Sequence, residues 1–243
     1  KGQEKLTGRP LYVPKLARRI VGSITRSILI SCDDEYDDCG GECEDKYLSM
    51  TDDELFIEKR MHVEEVDFGE KFTIPRIPDI QVEVLKAYHT CNCNGYGFST
   101  LKRNIIKSEY RHLTQTKEGR IEIKKLIDEG ENIKEDKLVP ELAFYCDSSS
   151  KNLTSHDEWK KYPVVICECT EINPDEPVED YEKRGHTHIN NLIETFQQNK
   201  EKQFILIHES MKYTDNQLEE FEKRINSDNN INIIVWSDSY NIR

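Results

Sequence analysis

The chain has 243 residues, 47 acidic against 34 basic, and its net charge of −13 excludes a broad, non-specific grip on phosphate backbones. Charged residues make up 33% and hydrophobic ones 36%, which leaves enough apolar matter for one full core or at most two small domains. No run of 18 apolar residues occurs in the sequence, so none of its segments reads as a membrane-spanning helix.

In chain order, Pro10–Pro14 reads as extended. Leu16, Ile20, Ile24 and Ile28 follow at helical spacing. Residues 33–58 form an acidic surface insertion with a turn at Cys39-Gly40-Gly41, while Lys15–Arg26 and Lys102–Arg111 are locally basic. Three strands are expected around Phe72–Ile74, Ile80–Leu85 and Tyr96–Ser99, and a short amphipathic helix around Ile121, Ile123, Leu126 and Ile127. From Leu142 onward strands and helices alternate. The strands are Val164–Cys169, Phe204–Ile207 and Ile231–Trp236. One helix face carries Ile189, Leu192, Ile193 and Phe196, another Leu218, Phe221 and Ile225, and Asp215 is placed as a cap. This alternation predicts an α/β layered domain, read as one domain over 1–243.

There are eight cysteines, Cys32, Cys39, Cys43, Cys91, Cys93, Cys146, Cys167 and Cys169, with no CxxC pair and no signal-type apolar region near Lys1. They are expected to be free thiols in the cytoplasm or another reducing compartment. The start at Lys1 is read as a beginning inside a longer protein or after a processed segment.

Four separated segments place lone polar residues at the ends of apolar runs, where an α/β protein presents metal ligands. They are Tyr88-His89-Thr90 before Gly95-Tyr96-Gly97-Phe98, then Phe144-Tyr145-Cys146-Asp147-Ser148, Gly185-His186-Thr187-His188, and Leu206-Ile207-His208-Glu209-Ser210. Asp147 reads as a bridging carboxylate or as a turn aspartate. His89 and His208 read as ligands or as core histidines. His186 and His188 read as ligands or proton donors, or as exposed imidazoles beside a Thr187 helix cap. Glu168 lies within an apolar strand, where an unpaired charge is expensive, and His186 is its expected partner.

Together these segments resemble the tRNase Z branch of the metallo-β-lactamase superfamily, over roughly residues 85–215. The resemblance rests on His-Thr with Gly-Tyr-Gly-Phe, Phe-Tyr-Cys-Asp-Ser, Val-Ile-Cys-Glu-Cys-Thr, Gly-His-Thr-His and Ile-His-Glu-Ser-Met-Lys-Tyr, in that order. It implies a metallo-β-lactamase-like αββα sandwich with its N-terminal part incomplete. It also implies His89, Asp147 and His208 as metal ligands, and His186 as proton donor held by Glu168. Ser210, Lys212 and Tyr213 are implied to grip phosphate. Two zinc ions would activate a hydroxide for attack on a phosphodiester of RNA, a tRNA precursor by resemblance, with a homodimer as a further expectation and no membrane partner. The family's His-x-His-x-Asp-His cluster is missing from this sequence, Glu209 stands where an apolar residue is usual, and His188 is an additional histidine. Two other readings stay open: a zinc hydrolase of small substrates such as β-lactams or esters, and a binding module without metal. Lys102, Arg103, Lys107 and Arg111 are noted as a local basic strip for RNA or as a solvated face.

Overall fold

A computed structural model of the chain describes residues 10–14, 51, 62–74 and 77–237. The helix expected at Leu16–Ile28, nearly all of the acidic segment 33–58, and Cys32, Cys39 and Cys43 lie outside the described residues.

The main sheet is mixed and seven-stranded, made of β3 (Lys71–Ile74), β4 (Ile77–Lys86), β5 (Asn94–Ile106), β6 (Lys134–Phe144), β7 (Val164–Glu168), β8 (Gln203–Ile207) and β9 (Ile233–Val235) in spatial order 3-4-5-6-7-8-9. Its β3–β6 half is antiparallel and its β6–β9 half parallel. A separate parallel pair, β1 (Pro10–Pro14) and β2 (His62–Val66), is the second set of strands among the described residues. The architecture is α/β, as the alternation predicts.

The strand directions matter for function. Because β4 and β6 each run antiparallel to β5, β4 points the same way as β6, β7, β8 and β9. Val84, Tyr96, Phe144, Ile166, Ile205 and Ile234 pair in register across the sheet. Just beyond that line, on one edge, lie His89 after β4, Asp147 after β6, Glu168 ending β7 and His208 after β8. Ligands of open α/β sheets gather outside such carboxyl ends.

The core is densest against the parallel half. Val165 and Cys167 of β7 and Phe204 and Leu206 of β8 are buried in alternation, as a pleated strand with one deep face requires. Phe204 meets the rings of Phe196 and Trp159 at centroid separations of 4.5 and 5.8 Å. In β5, Gly95 and Gly97 leave room for the buried rings of Tyr145 and Tyr162, which a Cβ at either position would overlap. The Gly-Tyr-Gly-Phe segment is thus a packing requirement of the neighbouring strands.

The helices are α1 (Lys117–Asp128), α2 (Lys151–Thr154), α3 (Val178–Glu182), α4 (Ile193–Gln198) and α5 (Asp215–Asn229). Three local expectations are corrected. Thr214, not Asp215, caps α5, in a reciprocal box with Gln217: the Thr214 hydroxyl accepts from Gln217 N–H and the Gln217 side chain accepts from Thr214 N–H. The expected Ile189–Phe196 helix is split into a 3₁₀ turn at Ile189–Asn191 and α4, though Ile189, Leu192 and Phe196 are all buried. The short helix forms as α1, but its apolar face is only partly covered: Ile123 and Leu126 are half-buried, whereas Ile121 is 64% and Ile127 45% exposed. No helix of the described residues is long and apolar enough to cross a membrane.

Candidate metal centre

Asp147 is the hub of the site. Its Oδ1 lies 3.2 Å from His89 Nε2, 3.3 Å from His186 Nδ1 and 4.0 Å from His208 Nε2. Its backbone is left-handed (φ 47°), as is that of His208 (φ 63°), a conformation that non-glycine residues adopt at a cost. Both strands therefore turn abruptly as they leave the sheet, which brings side chains that would otherwise follow the pleat to one point. Gly185 (φ 84°) makes the third close approach: a Cβ there would lie 2.8 Å from Thr90 N and 3.1 Å from the His89 ring. Its lack of a side chain lets the His186 segment sit against the His89 segment.

Glu168 is fully buried and fully engaged. Its Oε1 accepts from His186 Nδ1 at 2.9 Å, from Thr187 N–H at 3.1 Å and from the Thr170 hydroxyl at 2.5 Å, while Ser148 N–H donates to Oε2. Three donors converge on Oε1 and one on Oε2, so both carboxylate oxygens are hydrogen-bonded within the protein. The desolvation of this charge is thereby offset. The expected Glu168–His186 partnership is present, and it fixes the imidazole with Nδ1 as donor and Nε2 as the nitrogen left for other chemistry.

The ligand-type atoms of Asp147, Glu168, His186 and His208 all lie within 4.8 Å of one another. His89 is outside that set although it is as close to Asp147 as His186 is. Two observations favour His89, Asp147 and His208 as the ligands over Glu168 and His186. Glu168 and His186 Nδ1 are consumed by each other and by protein donors. His89 Nε2 is buried, aimed at the Asp147 carboxylate, and has no hydrogen-bond partner. An orphaned imidazole nitrogen beside a carboxylate and a second imidazole fits an ion taken by nitrogen and oxygen donors.

Residues that sequence reasoning missed hold this arrangement. Ser149 N–H donates to Tyr88 O at 2.7 Å, Asn152 Oδ1 accepts from Tyr88 N–H at 2.7 Å, and Asn152 Nδ2 donates to Ser148 Oγ at 2.6 Å. They lock the approach to His89 onto the turn after Asp147. Thr187 donates its hydroxyl to Ser148 O at 2.8 Å, tying the His186 segment to the same turn. The run of three serines after Asp147 was the available signal, since buried serines in a turn need partners. Thr187 is not the helix cap: His188 is, its side chain accepting from Asn190 N–H at 3.2 Å, and His188 is completely buried where an exposed imidazole was one reading.

The described cysteines Cys91, Cys93, Cys146, Cys167 and Cys169 are free. Burial pushes the Cys93 thiol up to about 11, helped by Cys91, Asp147 and Glu168, so it stays protonated beside the site. Burial likewise raises Glu209 to about 7, and its Oε1 has no partner.

No protein-family profile matches the chain. Two curated proteins of Arabidopsis thaliana do: tRNase Z TRZ1, 29% identical over 157 residues, covering 64% of this chain and 53% of the relative, and chloroplastic tRNase Z TRZ2, 26% identical over 167 residues, covering 68% and 46%. The chain is similar to these two tRNases Z. It spans about half the length of the curated relatives it matches. Among solved structures, the metallo-β-lactamase fold protein YhfI from Bacillus subtilis aligns with TM-score 0.43 at 11% identity, over 73% of this chain and 52% of that one. A diphosphatase of the PhnP family aligns with TM-score 0.47 at 11% identity, over 94% and 55%.

In this chain the three residues assigned to phosphate divide. Lys212 Nζ donates to Glu171 Oε2 at 2.7 Å, and the Tyr213 hydroxyl donates to Glu171 Oε1, so both face inward. The Ser210 hydroxyl proton has no acceptor among the described residues. In the basic strip, Arg103 pairs with Asp79 at 2.7 Å and Lys102 with Glu141 at 3.2 Å, which neutralises half of the Lys102, Arg103, Lys107 and Arg111 group.

Proposed function

We propose that this chain acts in a zinc-dependent phosphodiester hydrolase that cuts RNA, with a tRNA precursor as substrate. The observation that carries the reading is the meeting of His89, Asp147 and His208 at one carboxylate oxygen, beside a histidine oriented by a buried glutamate. The similarity to two tRNases Z supports the choice of RNA over a small ester or lactam.

His89, Asp147 and His208 would hold the metal, and the described residues supply three donors, a set for one ion with an open position. A second zinc needs donors from outside the described residues. When bound, zinc supplies an activated water and offsets negative charge on the phosphoryl oxygens. The protein's own steps follow from the hydrogen bonds. Glu168 holds His186 through Nδ1, which stabilises the imidazolium and presents Nε2 to the scissile bond. That Nε2 proton goes to the departing oxygen of the RNA. Ser210 is placed to donate to a phosphate oxygen, while Lys212 and Tyr213 serve from behind. The acidic surface repels nucleic acid at long range, so the attraction must be local to the site.

The test is cleavage of a tRNA precursor by the natural-length protein, with metal content read by elemental analysis. His186→Ala should lower cleavage about 10²- to 10⁴-fold with metal content unchanged. Cleavage at the unaltered rate in that variant removes His186 from the reaction. Natural-length protein that carries no zinc and ignores chelators points instead to a binding module.

A further inference from the structure

Outside the metal centre, one buried carboxylate reaches two of the three segments that bring histidines to it. Glu171 is completely buried. Its backbone is bound to the His186 segment: Glu171 N–H donates to Thr187 O at 3.2 Å, Ile189 N–H donates to Glu171 O at 2.9 Å, and Glu171 bridges His188 in parallel. Its side chain turns to the segment after β8. Lys212 Nζ donates to Oε2 at 2.7 Å, the Tyr213 hydroxyl donates to Oε1, and Asn173 N–H donates to Oε1 at 2.7 Å. Lys212 also meets Glu176 at 3.5 Å and the Tyr181 hydroxyl at 3.4 Å.

A charge with no exposure needs partners in fixed places, and here they are the fourth and fifth residues after His208. Burial alone would raise the Glu171 carboxyl, but Lys212, Tyr181, Tyr213 and the Asn173 N–H outweigh it and hold it at about 2. The group is therefore ionised wherever the protein works.

Closer to the site, the post-β8 segment has weaker anchorage. Ser210 N–H donates to Thr170 O at 3.0 Å. Thr170 has one hydroxyl proton, and its nearest acceptor is Glu168 Oε1 at 2.5 Å, ahead of His208 O at 3.2 Å. His208 itself has a left-handed backbone that relaxes if nothing holds it.

We propose that Glu171 is a positioning residue: gripping Lys212 and Tyr213 through its carboxylate and Thr187 and Ile189 through its backbone, it sets the separation of His208 from His186. This rests on reading the site as a metal centre. It gives Lys212 and Tyr213 a role different from direct contact with phosphate.

Cobalt(II) titrated into the natural-length protein, with visible absorption read alongside amide hydrogen exchange of the metal-free form, tests the grip. Glu171→Gln should weaken cobalt binding about 10- to 100-fold and change the visible band, and should speed exchange in both 185–189 and 208–213. Tyr213→Phe keeps the ring and loses one donor, so it should shift the same readouts less. It also serves if Glu171→Gln does not fold. Combining Glu171→Gln with Lys212→Gln should add little to the single change, since both remove one interaction. Cobalt affinity and spectrum within twofold of the parent in Glu171→Gln overturn the proposal. If the parent takes up no cobalt, the metal-centre reading fails by itself. Exchange then decides the clamp: faster in both segments upholds it, and unchanged in 208–213 overturns it.

Discussion

The two halves of the main sheet are built for different tasks. The antiparallel strands β4, β5 and β6 are 10, 13 and 11 residues long, and surface ion pairs such as Arg103–Asp79 and Lys102–Glu141 join their outer ends. The parallel strands β7, β8 and β9 are 5, 5 and 3 residues long, almost wholly buried on one face. Four of the five proposed site residues, all but His89, leave from the strands or connections of that parallel half or from its boundary strand β6. Short buried strands fix their ends within the core, so a side chain at such an end has little freedom. The long strands lead to two site residues, His89 three residues beyond β4 and Asp147 three residues beyond the boundary strand β6.

Substitution should separate the halves. The largest effect is expected in the parallel half at Phe204. Phe204→Ala leaves a void between Phe196 and Trp159 and should cost about 3–5 kcal/mol, read by denaturant unfolding. Next is Glu168→Gln. The amide keeps the volume but turns an NH₂ toward groups that are themselves donors, at about 1–3 kcal/mol per unmet group, together with loss of His186 orientation. A calorimetric melt of the metal-free protein reads the stability part.

Glu171 gives a third, pH-dependent contrast. Its folded carboxyl is held below the ordinary value of 4.5, so its contribution is complete above about 4.5 and disappears as the pH falls toward about 2. The stability gap between parent and Glu171→Gln should therefore be on the order of 2 kcal/mol at pH 7, shrink below about pH 4.5 and close only as the pH reaches about 2. A gap that is flat with pH means that the carboxylate is not held by its charge. The smallest effect belongs to the antiparallel half: Arg103→Ala breaks an exposed pair and should leave the denaturant midpoint almost unchanged.

What could be read from the sequence follows the same division. Val164–Glu168 and Gln203–Ile207 are apolar runs closed by one polar residue, so both the strands and the importance of Glu168 and His208 were legible. Asp147 was legible from the same local rule, and His186 from the need of Glu168 for a partner. The ties of Tyr88 to Asn152 and of Thr187 to Ser148 were not, because they join residues 64 and 39 positions apart and nothing local marks them. The inward direction of Lys212 and Tyr213 was hidden for the same reason: Glu171 precedes Lys212 by 41 residues. Apolar periodicity found the helix α1, but not that Ile121 and Ile127 stay exposed while Ile123 and Leu126 are half-buried. It cannot report whether a face has a partner.

The left-handed turns at Asp147 and His208 carry a consequence for anyone seeking a sturdier version of this protein. Glycine would relieve about 1–2 kcal/mol of backbone cost at each position. A screen that rewards heat resistance alone would favour those replacements, and each would delete a proposed ligand. Selection for durability and selection for activity pull in opposite directions at these two residues, so a tougher variant has to be found elsewhere in the chain.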